Sequence, residues 1–287
     1  MQPPPESPAP DGAAPQKKPL GWKLVRNLRR AFRAPIAGHR VVEDALRGRA
    51  GVEIGGPTKL FRRDLPVYRV VAELDGVNFA SRTVWEGELA EGRTYRWGRR
   101  GVGHQYIADA TDLARIAGAR YDFVLSSNNL EHIANPIKAL HEWVRVLKPG
   151  GHLLLVLPRR ESNFDHRRDV TPFEHLLDDH RRGTTEADLT HLDEIVARHD
   201  YAMTPDTPTP VVLRARGLAN IENRCLHHHV YDPPLIERVL RHVGLEPVWA
   251  TSTATDHLSL ARKPASAAPG SDRVARPAKA VDAPGLR

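Results

Sequence analysis

The chain has 287 residues, 40% hydrophobic and 27% charged, with a formal net charge of +7 and one cysteine. That composition can bury a core, and it excludes a collagen, a coiled coil, a disulfide scaffold and a thiolate zinc module. The longest apolar run, residues 153–157, is strand-sized and far short of the roughly 18 residues a membrane-spanning helix needs.

Residues 1–19 are rich in Pro, Ala and Gly and lack a hydrophobic signal core, which predicts a disordered tail on a cytoplasmic protein. Residues 20–34 read as a basic amphipathic helix. Leu24, Leu28 and Phe32 recur at a spacing of four, and Lys23, Arg26, Arg30 and Arg33 fill the other face. Such a helix packs on the domain or makes a peripheral membrane or protein contact. Residues 1–50 hold ten basic side chains against four acids and so supply +6 of the +7. The charge belongs to this appendage and not to a groove in the core, so no nucleic-acid partner is expected.

From residue 35 to 262, strand-like and helical runs alternate, the pattern of an α/β fold with a doubly wound, mostly parallel sheet. Strands are expected over 51–54, 67–74, 105–108 and 122–126. Asn135 then caps a helix with Pro136 at its first position. Ile137, Leu140, Val144 and Leu147, with Trp143 alongside, form its buried stripe, and Lys148-Pro149-Gly150-Gly151 stops it. The run 153–157 is apolar without alternation, as a strand covered on both faces should be. A helix over 234–242, ended by Gly244, leads to a closing antiparallel hairpin over 246–252 and 257–261. Residues 263–287 read as a second disordered tail. The 73 residues from 159 to 231 interrupt this order and carry eight of the fifteen histidines.

The string from Tyr121 to Ile133 with its Leu130-Glu131-His132 turn, the Leu147-Lys-Pro-Gly-Gly151 turn and the strand that follows resemble the class I S-adenosylmethionine-dependent methyltransferases, more narrowly their small-molecule branch. Gly51-Val-Glu-Ile-Gly-Gly-Pro-Thr58 stands where that family's first glycine motif belongs, with Pro57 in place of a usual third glycine. The resemblance implies a Rossmann-like methyltransferase sheet with S-adenosylmethionine at the carboxyl ends of its strands. In physical terms, Gly55 and Gly56 allow a tight turn with no side chain between backbone and ligand. Glu53 is expected to hold the ammonium of the methionine moiety, and Asp75, with Glu73 second, to accept from the ribose hydroxyls. Asp109 is matched to the adenine amino group, with Ala110 supplying backbone, and Ser127 and Asn128 face the methionine end.

The interruption is expected to roof the acceptor site, because an insertion after the fifth strand lies at the same sheet edge. Its segments FDHRR, DLTH and HHHV resemble stretches of the same subgroup. A hydroxyl acceptor needs its proton removed, which suits a histidine oriented by a carboxylate. The expected base is His166, beside Asp165 and Asp169, or His191, beside Asp188. Arg167 and Arg168 are expected to bind an anionic acceptor. A competing reading joins His227 and His229, at a spacing of two, with His191 or Asp232 around a divalent ion; the adopted reading assigns no metal. Cys225 reads as a buried small residue. The expected activity is O-methylation of a small-molecule or sugar hydroxyl, the sugar being implied by resemblance alone. The alternative is a non-catalytic adapter anchored through residues 20–34.

Overall fold

The structure, a computed structural model, describes residues 36–98 and 101–265, and every element below lies in the unit that begins at Ala37. The expected helix over 20–34, the tail over 1–19 and the tail from residue 266 lie outside the described residues. Helix α1 (His39–Leu46) leads into β1 (Ala50–Ile54) and a short α2 (Lys59–Arg63), whose cap is Thr58, its hydroxyl accepting from the Leu60 amide at 3.4 Å. Next come β2 (Glu73–Asn78), a two-strand ribbon of β3 (Arg82–Thr83) and β4 (Gly87–Glu88), and the hairpin of β5 (Gly92–Trp97) and β6 (Gly101–Ile107). β7 (Tyr121–Ser127), α3 (Pro136–Val146) and β8 (Leu147–Pro158) follow.

The insertion holds α4 (Phe173–Arg182), α5 (Leu192–Arg198), α6 (Pro210–Leu218) and α7 (Asn220–Asn223). Helix α8 (Pro233–His242) and strands β9 (Glu246–Ser252) and β10 (Asp256–Arg262) close the domain. The eight-stranded sheet runs β5-β6-β2-β1-β7-β8-β10-β9. Neighbours from β6 to β8 pair in parallel; β5 and the closing hairpin pair antiparallel. This is the Rossmann-like methyltransferase architecture expected from sequence, with an additional ribbon and an additional edge strand.

Local chemistry explains where the elements begin and end. The Asn135 side chain accepts from the Lys138 amide at 3.0 Å with Pro136 at the first helical position. Trp143 rather than Val144 is the centre of the buried face, and its Nε1 donates to the Ala110 carbonyl at 3.0 Å. β8 starts at Leu147, so the Lys-Pro-Gly-Gly turn is absorbed as an irregularity in its pairing with β7, with Gly150 at φ +77. Lys263, assigned to the tail by composition, is tied down: its amide donates to Gly151 and its ammonium to the Val144 and Leu147 carbonyls.

The second strand corrects the sequence reading. Residues 67–69 form a 3-10 turn after Pro66, with Val67 and Tyr68 both buried, and pairing begins only at Glu73. Gly76 disguises this strand, since glycine is a poor strand residue. It is required here because an added Cβ would lie 2.1 Å from the Tyr95 ring that covers it.

Candidate functional site

A cavity of about 630 Å³ opens at the carboxyl ends of the parallel strands. Its floor is Ile54 and Gly55 at the end of β1, Val77, Asn78 and Phe79 at the end of β2, Ala108 to Ala110 after β6, and Ser127 to Asn129 at the end of β7. The ribbon contributes Trp85 and Glu86, and the insertion contributes Phe164, Arg224 and His227 as a roof. Position and size are those of a ligand site at the switch point of an open α/β sheet.

Of the residues expected to bind a cofactor, Gly55, Asp109, Ala110, Ser127 and Asn128 line this cavity. Gly55 has φ +79, and a Cβ there would lie 2.4 Å from the Asn129 side chain. Asp109 is already engaged: Oδ1 accepts from the Thr111 amide at 2.8 Å and Oδ2 from Arg224 at 2.9 Å. Arg224 also pairs with Glu186 at 3.0 Å and lies over the Phe79 ring.

Glu53, Gly56 and Asp75 are not in the lining. Glu53 is buried behind the glycine turn, accepting from the Tyr68 and Tyr95 hydroxyls at 2.5 and 2.6 Å and from the Thr58 amide at 3.1 Å. Burial lifts its pKa to about 7 against the opposing pull of the two tyrosine hydrogen bonds. Gly56 makes room for that carboxyl, since its Cβ would stand 2.2 Å from the Glu53 carboxyl carbon. Asp75 sits mid-strand because β2 runs four residues further than expected. It accepts from the His104 amide at 2.8 Å and the Tyr121 hydroxyl at 2.7 Å, while Glu73 is an exposed strand start. Asn78 and Phe79 occupy the strand end instead.

The histidines also rearrange. His166 is about a third exposed, with Nε2 2.8 Å from Asp200 Oδ2, and lies outside the cavity lining. Its sequence neighbour Asp169 is 88% exposed and pairs with Arg198. Asp165, in contrast, is buried and lies 2.5 Å from Nδ1 of His227, which does line the cavity. Burial would raise the Asp165 pKa, but the charge and hydrogen bond of His227, with Arg168 beside them, hold it down to about 2.

Arg168 is no acceptor anchor. It is 3% exposed, bonded to Asp165 at 3.1 Å and to the carbonyls of His227 and His228 at 2.7 and 3.3 Å. Arg167 pairs with Asp200 at 3.3 Å.

His191 stands apart, 3.0 Å from His175 Nε2, and its neighbour Asp188 turns back on Thr190 instead. The expected sharing of one face by His227 and His229 fails because this segment is not a strand. His227 meets Asp165, His229 Nε2 meets Asp179 at 3.0 Å, and Asp232 caps α8 through the Leu235 amide. Cys225 is half-buried, and burial pushes its thiol up, away from a reactive thiolate.

Sequence reasoning passed over Asn129, Glu131, His132 and Arg224 as site residues and weighed His227 only as a metal ligand, although all five line the cavity. The Leu-Glu-His turn was a signal for two of them. Nδ1 of His132 lies 3.2 Å from the Leu226 carbonyl, and its ring meets His227 edge-on at 4.5 Å. Burial lifts the Glu131 carboxyl to about 7, against the lowering charge of His227.

Residues 53–155 match a family described as a methyltransferase domain. Demethylmenaquinone methyltransferases from two strains of Leptospira interrogans are 29% identical over 135 residues, 46% of this chain and 48% of theirs. The chain thus spans about half the length of the curated relatives it matches. Among solved structures, a Burkholderia thailandensis 1,6-didemethyltoxoflavin-N1-methyltransferase with bound S-adenosylhomocysteine is 14% identical. It covers 88% of this chain and 93% of its own, at a TM-score of 0.42. A methyltransferase from Methanosarcina mazei is 14% identical, covering 81% of this chain and 100% of its own, at a TM-score of 0.45.

Residues 53–155 match a methyltransferase domain, S-adenosylmethionine is the cofactor implied by that match, and the cavity fits that group. Gly55 leaves a cradle that a side chain would fill. Asn129 Oδ1 and Glu131 Oε2 are buried with no hydrogen-bond partner among the described residues, and polar atoms of that kind call for a partner.

Proposed function

We propose that the chain methylates a hydroxyl group of a small molecule or sugar, with His227 as the general base. One observation carries this reading: a histidine in the cavity lining has its Nδ1 fixed at 2.5 Å by a buried carboxylate, Asp165. Asp165 selects the tautomer of His227 and leaves Nε2 as the free ring nitrogen, an arrangement suited to taking a proton from a hydroxyl. A neutral amine acceptor would not need this pair, which favours oxygen over nitrogen.

S-adenosylmethionine, when bound, supplies a methyl group activated by its sulfonium. Gly55, Asn129, Ser127 and Asn128 are the residues to hold its methionine end, and Asp109 and Ala110 its adenine. The remaining work is alignment and exclusion of water. Phe164 and His227 close the acceptor end, while Trp85 and His132, whose rings meet edge-on at 5.3 Å, form its side.

The test is methyl transfer from radiolabelled S-adenosylmethionine to a panel of sugars, phenols and amines. Transfer to a hydroxyl is expected, with His227→Asn slower by about 10²- to 10⁴-fold and S-adenosylhomocysteine affinity retained. Transfer to nitrogen or carbon alone, or an unimpaired His227→Asn, overturns the reading. A full-length chain that binds no cofactor favours the adapter alternative.

A further inference from the structure

Four side chains of the insertion that the reaction does not use converge on one point. His175 and Asp179 lie one turn apart on α4, His191 immediately precedes α5, and His229 lies on the extended segment before α8. One donor atom from each falls within 4.8 Å of all the others. His175 Nε2 is 3.0 Å from His191 Nε2 and 3.2 Å from Asp179 Oδ2, and His229 Nε2 is 3.0 Å from the same oxygen. The three imidazole rings fan around this point with centroids 4.8, 5.8 and 6.0 Å apart.

Hydrogen bonding alone serves this arrangement poorly. His175 Nε2 carries at most one proton yet faces both a ring nitrogen and a carboxylate oxygen. The separations resemble those between neighbouring ligands that each sit about 2.0–2.2 Å from a common ion.

The surroundings orient the carboxylate donor. Asp179 is buried and uses its other oxygen, Oδ1, to accept from Arg182 at 2.9 Å and Thr184 at 3.0 Å, which leaves Oδ2 aimed at the three histidines. Nδ1 of His191 lies 4.0 Å from the Glu194 carboxylate, a charge near the far side of that ring but beyond hydrogen-bond distance. His175 and His191 remain part-exposed and border a second cavity of about 130 Å³, an entry path for an ion.

We propose that His175, Asp179, His191 and His229 bind one divalent transition-metal ion, zinc in its commonest form, as a structural clamp on the insertion. Three imidazoles and a carboxylate suit a borderline ion, and four protein ligands complete a closed tetrahedral site with no position left for catalysis. The clamp joins α4, the start of α5 and the segment that carries His227 two residues before His229. It is independent of which acceptor the enzyme methylates.

The experiment uses full-length protein without a histidine tag, stripped with a chelator, dialysed and reloaded with zinc or cobalt(II). One ion per chain is expected by elemental analysis, together with the visible absorption of tetrahedral cobalt. His191→Ala and the pair His175→Ala/His191→Ala should each lower zinc affinity by about a hundredfold or more, since losing even an outer partner costs about 10- to 100-fold. His166→Ala should retain the wild-type stoichiometry. Far-ultraviolet circular dichroism establishes that the variants are folded.

Absence of a bound ion after reloading overturns the proposal. So does an ion that survives the double variant, or one lost instead in His132→Ala, which would place it on the Glu131, His132 and His227 group.

Discussion

Gly56 and Glu53 stand so close that a methyl group on the glycine would lie 2.2 Å from the carboxyl carbon and 2.3 Å from its Oε1. The second glycine of the turn therefore serves a buried acid behind the cavity and not the ligand in front of it. Gly56→Ala should cost about 1–3 kcal/mol, the range for forcing an extra methyl into packed surroundings. Urea denaturation would measure it, and an unchanged midpoint would refute this account of the turn.

Glu53 makes stability depend on pH in a direction set by its raised pKa. Its folded-state value of about 7 lies above the ordinary 4.5, so the folded protein holds the proton more tightly than the unfolded chain does. The contribution is fully present below about pH 4.5 and is lost as pH rises through 7. A displacement of that size corresponds to about 3 kcal/mol. Glu53→Gln cannot ionise, so unfolding free energies at pH 5 and pH 8 should differ less in this variant than in the wild type. An equal or larger difference would exclude Glu53 as the source.

Gly55→Asp tests the cradle. Aspartate tolerates positive φ better than most residues, so the fold should survive while the new side chain displaces Asn129 and enters the cavity. Isothermal titration with S-adenosylhomocysteine should show binding lost in a variant whose circular dichroism matches the wild type. Undiminished affinity would contradict the placement of the cofactor.

Asp165→Asn keeps the shape of the buried acid but removes the charge that orients His227. Turnover should fall by about 10³-fold or more, as when an orienting aspartate is neutralised in other histidine-based sites. S-adenosylhomocysteine affinity should stay within about twofold of wild type. Loss of cofactor affinity in parallel with turnover would mean that Asp165 merely supports the fold.

The parts of the chain that were legible in sequence are those fixed by neighbours along the chain. Asn135 with Pro136 announces a helix start because capping is a matter of three or four residues; Asp232 with Pro233 carries the same signal, and there it went unread. The unalternating run at 153–157 announces a central strand for the same local reason. Asp75 was misplaced because the evidence for its strand is tertiary: only the Tyr95 ring shows why Gly76 belongs in a strand interior. Likewise nothing near Asp165 in sequence points to His227, 62 residues on. His166 stood next to two acids and pairs with neither. Adjacency in the chain was a poor guide wherever the insertion folds back on itself.

The ion bridge from Asp109 through Arg224 to Glu186 crosses from the sheet to the insertion. On the proposed placement of the adenine at Asp109, a bound nucleoside would have to share that carboxylate with Arg224, the side chain that ties the insertion to the sheet.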